Sequence, residues 1–420
     1  MSELLFWLSL ATLGYIYAGY PLLIRTLSRI RPLRRDKAPQ HLPVSVVIAC
    51  YNEADRIVEK LTTLLHSDRE RQIAEILVGS DGSTDRTCDL IRQIGDDRIR
   101  LFAFNERRGK PAILNELIPQ CRSDLVVLCD ARQRLSDNAI PELLANFADE
   151  RVGAVSGELM FDQESTTSTA RRGIGAYWHY EKLIRKSESQ FRSVPGATGA
   201  LYAIRRSLFQ PIPANTLLDD VVIPMQAVTQ KTLCVFEPEA VAWDQPSASL
   251  GCEAIRKRRT IAGAAQLMIQ HPEWLLPWRN PIWFEFFSHK ILRLASPALL
   301  LAIAVCNILL LDQPAYRILG ILHAGFYASA LVGWFCQRID RPSLLFGLQL
   351  MFVTLNATTL AALWDAARGR FRVTWRRPGD SDANSGESRR SDTDAATRQA
   401  FSRRPTAADW PTTPVRPSES

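Results

Sequence analysis

The chain lacks the cysteine and histidine patterns that build disulfide or metal scaffolds. Its eight cysteines (Cys50, Cys88, Cys121, Cys129, Cys234, Cys252, Cys306 and Cys336) are scattered over 420 residues, and none forms a C-x-x-C pair. Buried free thiols in a reducing compartment account for them, and a disulfide framework is excluded. The six histidines make no H-E-x-x-H, so no zinc site is indicated. No zinc-finger or helix-turn-helix spacing accompanies the net charge of +7. The basic residues gather beside apolar runs, where anionic lipid headgroups explain them and nucleic acid is not expected as a partner. No Gly-x-Gly-x-x-Gly follows the first strand-like run, which disfavours a dinucleotide enzyme. An internal repeat is also missing.

Charge is absent from one long stretch near the start. Leu4–Ile24 carries none over 21 residues, and at about 1.5 Å per residue these span roughly one hydrocarbon core. A cleaved signal peptide is disfavoured because Ser2 and Glu3 supply no positive leader and the run is long. Arg25, Arg29, Arg31, Arg34, Arg35 and Lys37 follow, opposed by Asp36 alone. The positive-inside rule therefore expects this flank and the domain after it in the cytosol. Three further apolar runs, Leu294–Leu311, Ile318–Cys336 and Ser343–Trp364, come after the middle of the chain. The third includes Gln349, Thr354, Asn356, Thr358 and Thr359, as suits a helix packed in a bundle or lying shallow. Four full crossings would put the tail opposite the domain, whereas Arg368, Arg370, Arg372, Arg376 and Arg377 favour the cytosolic side. A run that does not cross fully would reconcile the two rules.

The expected organisation is thus an N-terminal transmembrane helix with its basic flank (1–30), a cytosolic α/β domain (40–270), an interfacial helix (281–293), C-terminal transmembrane helices (294–366) and a disordered tail (379–420). In Pro281–Arg293 the residues Trp283, Phe284, Phe287 and Ile291 recur at helical spacing, with Glu285, His289 and Lys290 elsewhere, the pattern of a helix seated in the headgroup layer. The tail is rich in Ser, Arg, Asp, Thr and Pro with few apolar residues.

Within the middle, strands and helices alternate. Val44–Ala49 is a continuous β-branched run, as in a strand buried on both faces of a parallel sheet. Helical sequence at Glu53–His66, a strand at Glu75–Gly79, a strand at Ile99–Ala103, a helix at Pro111–Leu117 and a strand at Leu125–Cys129 follow. This is the first half of a doubly wound nucleotide-binding domain, whose ligand belongs at the C-terminal strand ends. Tyr51-Asn52-Glu53, Asp81-Gly82-Ser83-Thr84-Asp85 and Asp130-Ala131-Arg132 fall at three such ends. Singly each is explained as a turn or helix cap; three acidic clusters at one sheet edge are not.

Val44–Arg56 (VSVVIACYNEADR), Glu75–Thr87 (EILVGSDGSTDRT), Arg107–Leu117 (RRGKPAILNEL) and Leu125–Asp130 (LVVLCD) resemble the family 2 glycosyltransferases of the GT-A fold. The resemblance covers residues 44 to about 265, and the membrane arrangement is similar to the hyaluronan, chitin and poly-N-acetylglucosamine synthase branch. It implies a GT-A doubly wound domain flanked by transmembrane helices. It implies Tyr51 against the nucleobase, Asp81 on its edge, Glu53 helping to hold the nucleotide, and Lys110 near the phosphates. In Pro195–Arg206 (PGATGALYAIRR), Gly196, Thr198 and Gly199 would line the sugar and acceptor. The acid pair Asp219-Asp220 of Leu217–Pro224 would supply the base, Asp220, that takes the acceptor hydroxyl proton. In Glu253–Gly263 (EAIRKRRTIAG), Arg258 and Arg259 would neutralise the departing diphosphate, Arg259 matching the Arg of Gln-x-x-Arg-Trp.

Two positions depart from the family pattern. Members present Asp-x-Asp after the fourth strand to hold a divalent ion, Mg2+ or Mn2+, on the diphosphate. Here Asp130 is followed by Ala131 and Arg132. Either Asp130 binds the metal with water and other ligands, or Arg132 takes over part of its charge. The Gln and Trp of Gln-x-x-Arg-Trp are Arg256 and Thr260. The missing Trp counts against processive polymerisation but leaves transfer of a single sugar. The expected activity is inverting hexosyl transfer from a nucleotide diphosphate sugar, UDP-linked, to a glycan or lipid-linked acceptor, in exopolysaccharide or cell-envelope glycan synthesis. The expected location is the cell membrane, multi-pass, with membrane lipids as partners. The alternative is a degenerate sugar-nucleotide-binding subunit that recruits or regulates a partner synthase.

Overall fold

A computed structural model describes residues 1–68, 71–161, 169–244, 250–339 and 344–368, with backbone alone at 169–177, 250–256 and 344. Among these residues one eight-stranded sheet carries the domain. Its strands are β1 (Val44–Cys50), β2 (Ile73–Asp81), β3 (Ile99–Phe104), β4 (Leu125–Cys129), β5 (Arg134–Leu135), β6 (Val152–Phe161), β7 (Leu201–Arg205) and β8 (Leu233–Asp244). The order across the sheet is β3-β2-β1-β4-β7-β6-β8-β5. The first four strands are parallel, as the alternating sequence predicts, and β7 then enters antiparallel beside β4.

The β-branched run of β1 is buried along its whole length, and its two faces serve two cores. Val44, Val46, Ile48 and Cys50 join Ile57, Leu61 and Leu64 of the Ile57–Ser67 helix. Val47 and Ala49 join Ile113 and Leu117 of the Lys110–Leu117 helix. Gly79 of β2 lets that helix approach, since a Cβ there would stand 2.3 Å from Ile113 Cγ2. The one polar residue inside β1, Ser45, donates to the buried Glu75 at 2.8 Å, and Glu75 also accepts from Arg122 N–H at 2.6 Å and Arg100 Nη1 at 2.6 Å. The expected first helix begins later than its sequence suggests, at Ile57, because residues 53–56 turn at the sheet edge.

Among the described residues four helices are long and apolar enough to cross a membrane: Ser2–Ile30, Trp283–Leu309, Pro314–Arg338 and Leu345–Ala367. They leave Leu4, Leu301, Ile321, Leu322, Leu331 and Leu348 exposed, as lipid-facing residues are. The expected interfacial segment runs into the next apolar helix within one span, through a π-helical turn at Phe287–Ile291. Ile291, expected on the lipid face, is buried in the domain core with Ile282 and Phe286, while Glu285 and His289 are buried as well. The tail (379–420), Ser343 and the basic residues Arg370, Arg372, Arg376 and Arg377 lie outside the described residues.

A polar knot seats the domain on the first two of these helices. Glu188 of the Thr169–Phe191 helix is fully buried. Its Oε1 accepts from Tyr20 Oη at 2.6 Å and faces His289 Nδ1 at 2.8 Å. His289 Nε2 lies 2.9 Å from Glu181 Oε2, and Glu181 also pairs with Arg293. Removing one member of such a buried set strands the others, at a cost of about 3 kcal/mol or more. Glu188→Ala should therefore lower the thermal unfolding midpoint in detergent by several degrees. An unchanged midpoint would mean the knot contributes nothing to seating the domain.

Candidate active site

The loops after β1 and β2 clasp each other. Thr84 N–H donates to Asn52 Oδ1 at 2.8 Å, Asn52 N–H to Ser83 Oγ at 3.1 Å, Glu53 N–H to Thr87 Oγ1 at 2.9 Å and Ala54 N–H to Asp85 Oδ2 at 3.2 Å. Asn52 adopts a left-handed φ of 52° in this turn. Most of the D-G-S-T-D motif thus holds the Tyr51–Ala54 turn in place. Tyr51 carries the Arg107 guanidinium over its ring at 3.8 Å from the centroid, a cation–π stack.

Asp81 is buried, and its two oxygens accept the backbone N–H groups of Arg108 at 2.7 Å and Gly109 at 2.9 Å. That pair of bonds fixes the loop ahead of the Lys110–Leu117 helix. Gly109, at φ 89°, turns the chain so that Lys110 opens the helix. The Lys110 ammonium lies 2.8 Å from Asp130 Oδ1 and 3.2 Å from Asp219 Oδ2. Burial alone would push this ammonium down, but the carboxylates of Asp130 and Asp219 outweigh it and hold the pKa well above the ordinary lysine value.

Asp219 and Asp220 form the first turn of the Asp219–Thr229 helix, and Leu218 before them offers no side-chain cap. Asp219 is buried on Lys110. Asp220 is wrapped by the glycine segment: Gly199 N–H donates to its Oδ2 at 3.0 Å and Ala197 N–H to its backbone carbonyl at 2.7 Å. Close wrapping needs the small residues. A Cβ on Gly199 would meet Asp220 Oδ2 at 3.3 Å, and Gly196 sits at φ 121°, where side chains are strained. Thr198 N–H donates to Ser156 Oγ at 3.0 Å. Burial, then repulsion from Asp219, raises the Asp220 carboxyl to about 6, with Lys110 and Lys290 pulling the other way. Tyr202, in the same segment, buries a hydroxyl that has no hydrogen-bond partner among the described residues.

The structure therefore brings Lys110, Asp130, Asp219 and Asp220 together with Thr198 and Gly199. The arginines are distributed differently. Arg132 Nη2 pairs with the buried Asp244 at 2.6 Å. Arg258 pairs with Asp365 of the Leu345–Ala367 helix at 2.5 Å. Arg259 donates to the Leu217 carbonyl at 3.4 Å, two residues before the acid pair. Asp244, Ser156 and Arg185 escape a motif search. Asp244 alone offered a signal, since it is an acid closing a strand.

This geometry meets a sequence relationship. Residues 39–263 match the family described as "Glycosyltransferase like family 2". The chain belongs to this family. Among curated relatives of this family 2 glycosyltransferase is the poly-beta-1,6-N-acetyl-D-glucosamine synthase of Staphylococcus aureus, 25% identical over 232 residues, covering 54% of this chain and 56% of the relative. The synthase of the same name from Staphylococcus epidermidis is 24% identical over 205 residues, 48% of this chain and 49% of the relative. The chain thus spans about half the length of the curated relatives it matches. Among solved structures, the mannosyltransferase PcManGT of Pyrobaculum calidifontis, in complex with GDP-Man and Mn2+, superposes with a TM-score of 0.67 at 21% identity, covering 87% of this chain and 99% of that one. The likeness establishes the GT-A fold.

Asp220 yields a stability prediction. Its folded pKa of about 6 lies above the ordinary 3.8, so between these values the folded state binds more protons than the unfolded one. Stability then falls as pH rises through that window. Replacing the carboxylate by an amide, Asp220→Asn, should stabilise the protein by about 3 kcal/mol above pH 6, with the gain vanishing toward pH 4. Thermal melts across pH 4–8 measure this, and a gain independent of pH would contradict the assigned shift.

Proposed function

We propose that this protein is an inverting glycosyltransferase that moves a sugar from a nucleoside diphosphate sugar, UDP-linked, to a glycan or lipid-linked acceptor at the membrane. The observation that carries the reading is Asp220, bound by the Gly199 N–H and set beside the Lys110–Asp130–Asp219 ion cluster at the strand ends. The acceptor hydroxyl attacks the anomeric carbon, its proton passes to Asp220, and the bond to the nucleoside diphosphate breaks. A carboxylate is too weak to remove a sugar hydroxyl proton beforehand, so proton transfer accompanies attack. The raised pKa of Asp220 makes it a stronger base than a solvated aspartate while it stays ionised at neutral pH. One displacement with one base inverts the anomeric configuration.

Lys110 and Arg259 are the cations proposed for the departing diphosphate, with Arg132 alongside. Tyr51 and Glu53 are proposed at the nucleoside, where a base beside Tyr51 also meets Arg107. Asp81 is proposed to set the base-binding loop through its backbone bonds, and Gly196, Thr198 and Gly199 to shape the acceptor side.

Among the described residues no group of three His, Cys, Asp or Glu side chains is placed to hold a metal ion. Mg2+ and Mn2+ sites on nucleotides need only one or two carboxylates, because substrate phosphates complete the shell. Asp130, partly exposed on its loop, fits that single role. A divalent ion held there would neutralise charge on the diphosphate.

The basic flank after Ile24 supports a cytosolic domain. The names of the staphylococcal relatives support an N-acetylhexosamine donor and an exopolysaccharide context, while Thr260 in place of the family tryptophan favours single transfer.

Purified full-length protein in detergent should release nucleoside diphosphate from at least one UDP-sugar. Asp220→Asn should reduce that rate by 10²–10⁴-fold, on the order of a general base's contribution, while UDP still binds. The wild-type rate should fall as pH drops through about 6. Full activity of Asp220→Asn would remove the base assignment, and UDP binding without turnover of any donor would favour a degenerate binding subunit.

A further inference from the structure

Two cations stand beside Asp220 that the transfer reaction does not use. Arg185, on the Thr169–Phe191 helix, donates from Nη2 to Ser156 Oγ at 2.5 Å. That oxygen also accepts the Thr198 N–H at 3.0 Å, and the next N–H, from Gly199, reaches Asp220 Oδ2 at 3.0 Å. Ser156 of β6 and the Thr198-Gly199 backbone thus connect the Arg185 guanidinium to the proposed base. Its central carbon also stands 4.7 Å over the Phe236 ring, which holds the planar group in one orientation.

Lys290 is the second cation. It interacts electrostatically with Arg185 and Asp220, and with Glu181 and Glu188. Those two glutamates are already committed, Glu181 to His289 and Arg293, and Glu188 to Tyr20 and His289. Glu158, on the same strand as Ser156, pairs with Lys182 at 2.7 Å. Among the described residues neither Arg185 nor Lys290 has an ion-pair partner.

Such an arrangement is costly without a ligand. Two half-buried cations repel each other, and both weaken Asp220 as a base by favouring its ionised form. A neutral sugar hydroxyl relieves neither effect. A phosphate relieves both: the arginine fork matches its oxygens, and the lysine adds a point charge.

We propose that Arg185 and Lys290 form an acceptor-side subsite for a phosphate group carried by the acceptor, beside the hydroxyl that Asp220 deprotonates. The role as an acceptor subsite rests on the transferase reading; the phosphate site itself does not. Lys290 belongs to the same Trp283–Leu309 helix that is apolar enough to enter the membrane, so the phosphate reaches the subsite either on a lipid or on a soluble molecule.

The test uses full-length protein in phosphatidylcholine nanodiscs and three probes: dodecyl phosphate, inorganic phosphate and the neutral dodecyl maltoside. Dodecyl phosphate should bind at least tenfold more tightly than dodecyl maltoside. Arg185→Gln and Lys290→Gln should each weaken phosphate binding about tenfold, and Arg185→Lys should retain most of it, with UDP binding as the control for the fold. Tighter binding of dodecyl phosphate than of inorganic phosphate assigns a lipid-borne group, and equal binding assigns a soluble one; both uphold the subsite. Phosphate probes that bind wild type no better than dodecyl maltoside, or bind the glutamine variants as well as wild type, overturn it. Donor turnover is read separately. Its absence with Arg185-dependent phosphate binding sinks the transferase reading alone, whereas turnover with phosphate binding indifferent to both cations sinks the subsite alone.

Discussion

One ammonium group organises the site. Lys110 enters between Asp130, at the end of β4, and Asp219, at the start of a helix that lies much later in the chain. Without a cation there, acids from these two elements would repel each other across a partly desolvated gap, where charges interact far more strongly than in water. The lysine in turn depends on Asp81, whose hold on two backbone N–H groups sets where the Lys110 helix begins. The ion cluster beside Asp220 follows from that placement.

The strands were the most legible part of the sequence. β4 falls on the expected Leu125–Cys129 residue for residue, and β1 extends the expected run by one residue, because a β-branched stretch without polar breaks has one stable environment in a parallel sheet. The helix after β1 was less legible. Residues 53–56 follow a helical pattern, but side chains of the next loop capture their N–H groups, a tertiary interaction that local pattern does not encode. The arginines were harder still. A run of four basic residues reads as a single cluster, yet on a helix successive residues point in different directions. Arg258 accordingly finds Asp365 while Arg259 finds the Leu217 carbonyl. Partners so distant in sequence leave no spacing signal, and the same holds for Arg132 with Asp244 and Arg185 with Ser156.

The membrane-facing side and the reaction side share one helical segment. His289 belongs to the buried knot with Glu181 and Glu188, and the next residue, Lys290, is electrostatically tied to Asp220. A π-helical turn spans both residues, and such turns are frequent at functional sites. The buried knot and the field at Asp220 are thus set by neighbouring residues of one turn.

The buried carboxylate of Glu188 also has a consequence for biogenesis. Tyr20 leaves the ribosome early, Glu188 near mid-chain and His289 later still, yet all three meet at one oxygen. Tyr20 therefore gains this partner only once Glu188 has been made. His289, made later still, brings a second group to the same oxygen. The contact at Glu188 is therefore complete only after the segment carrying His289 has been made.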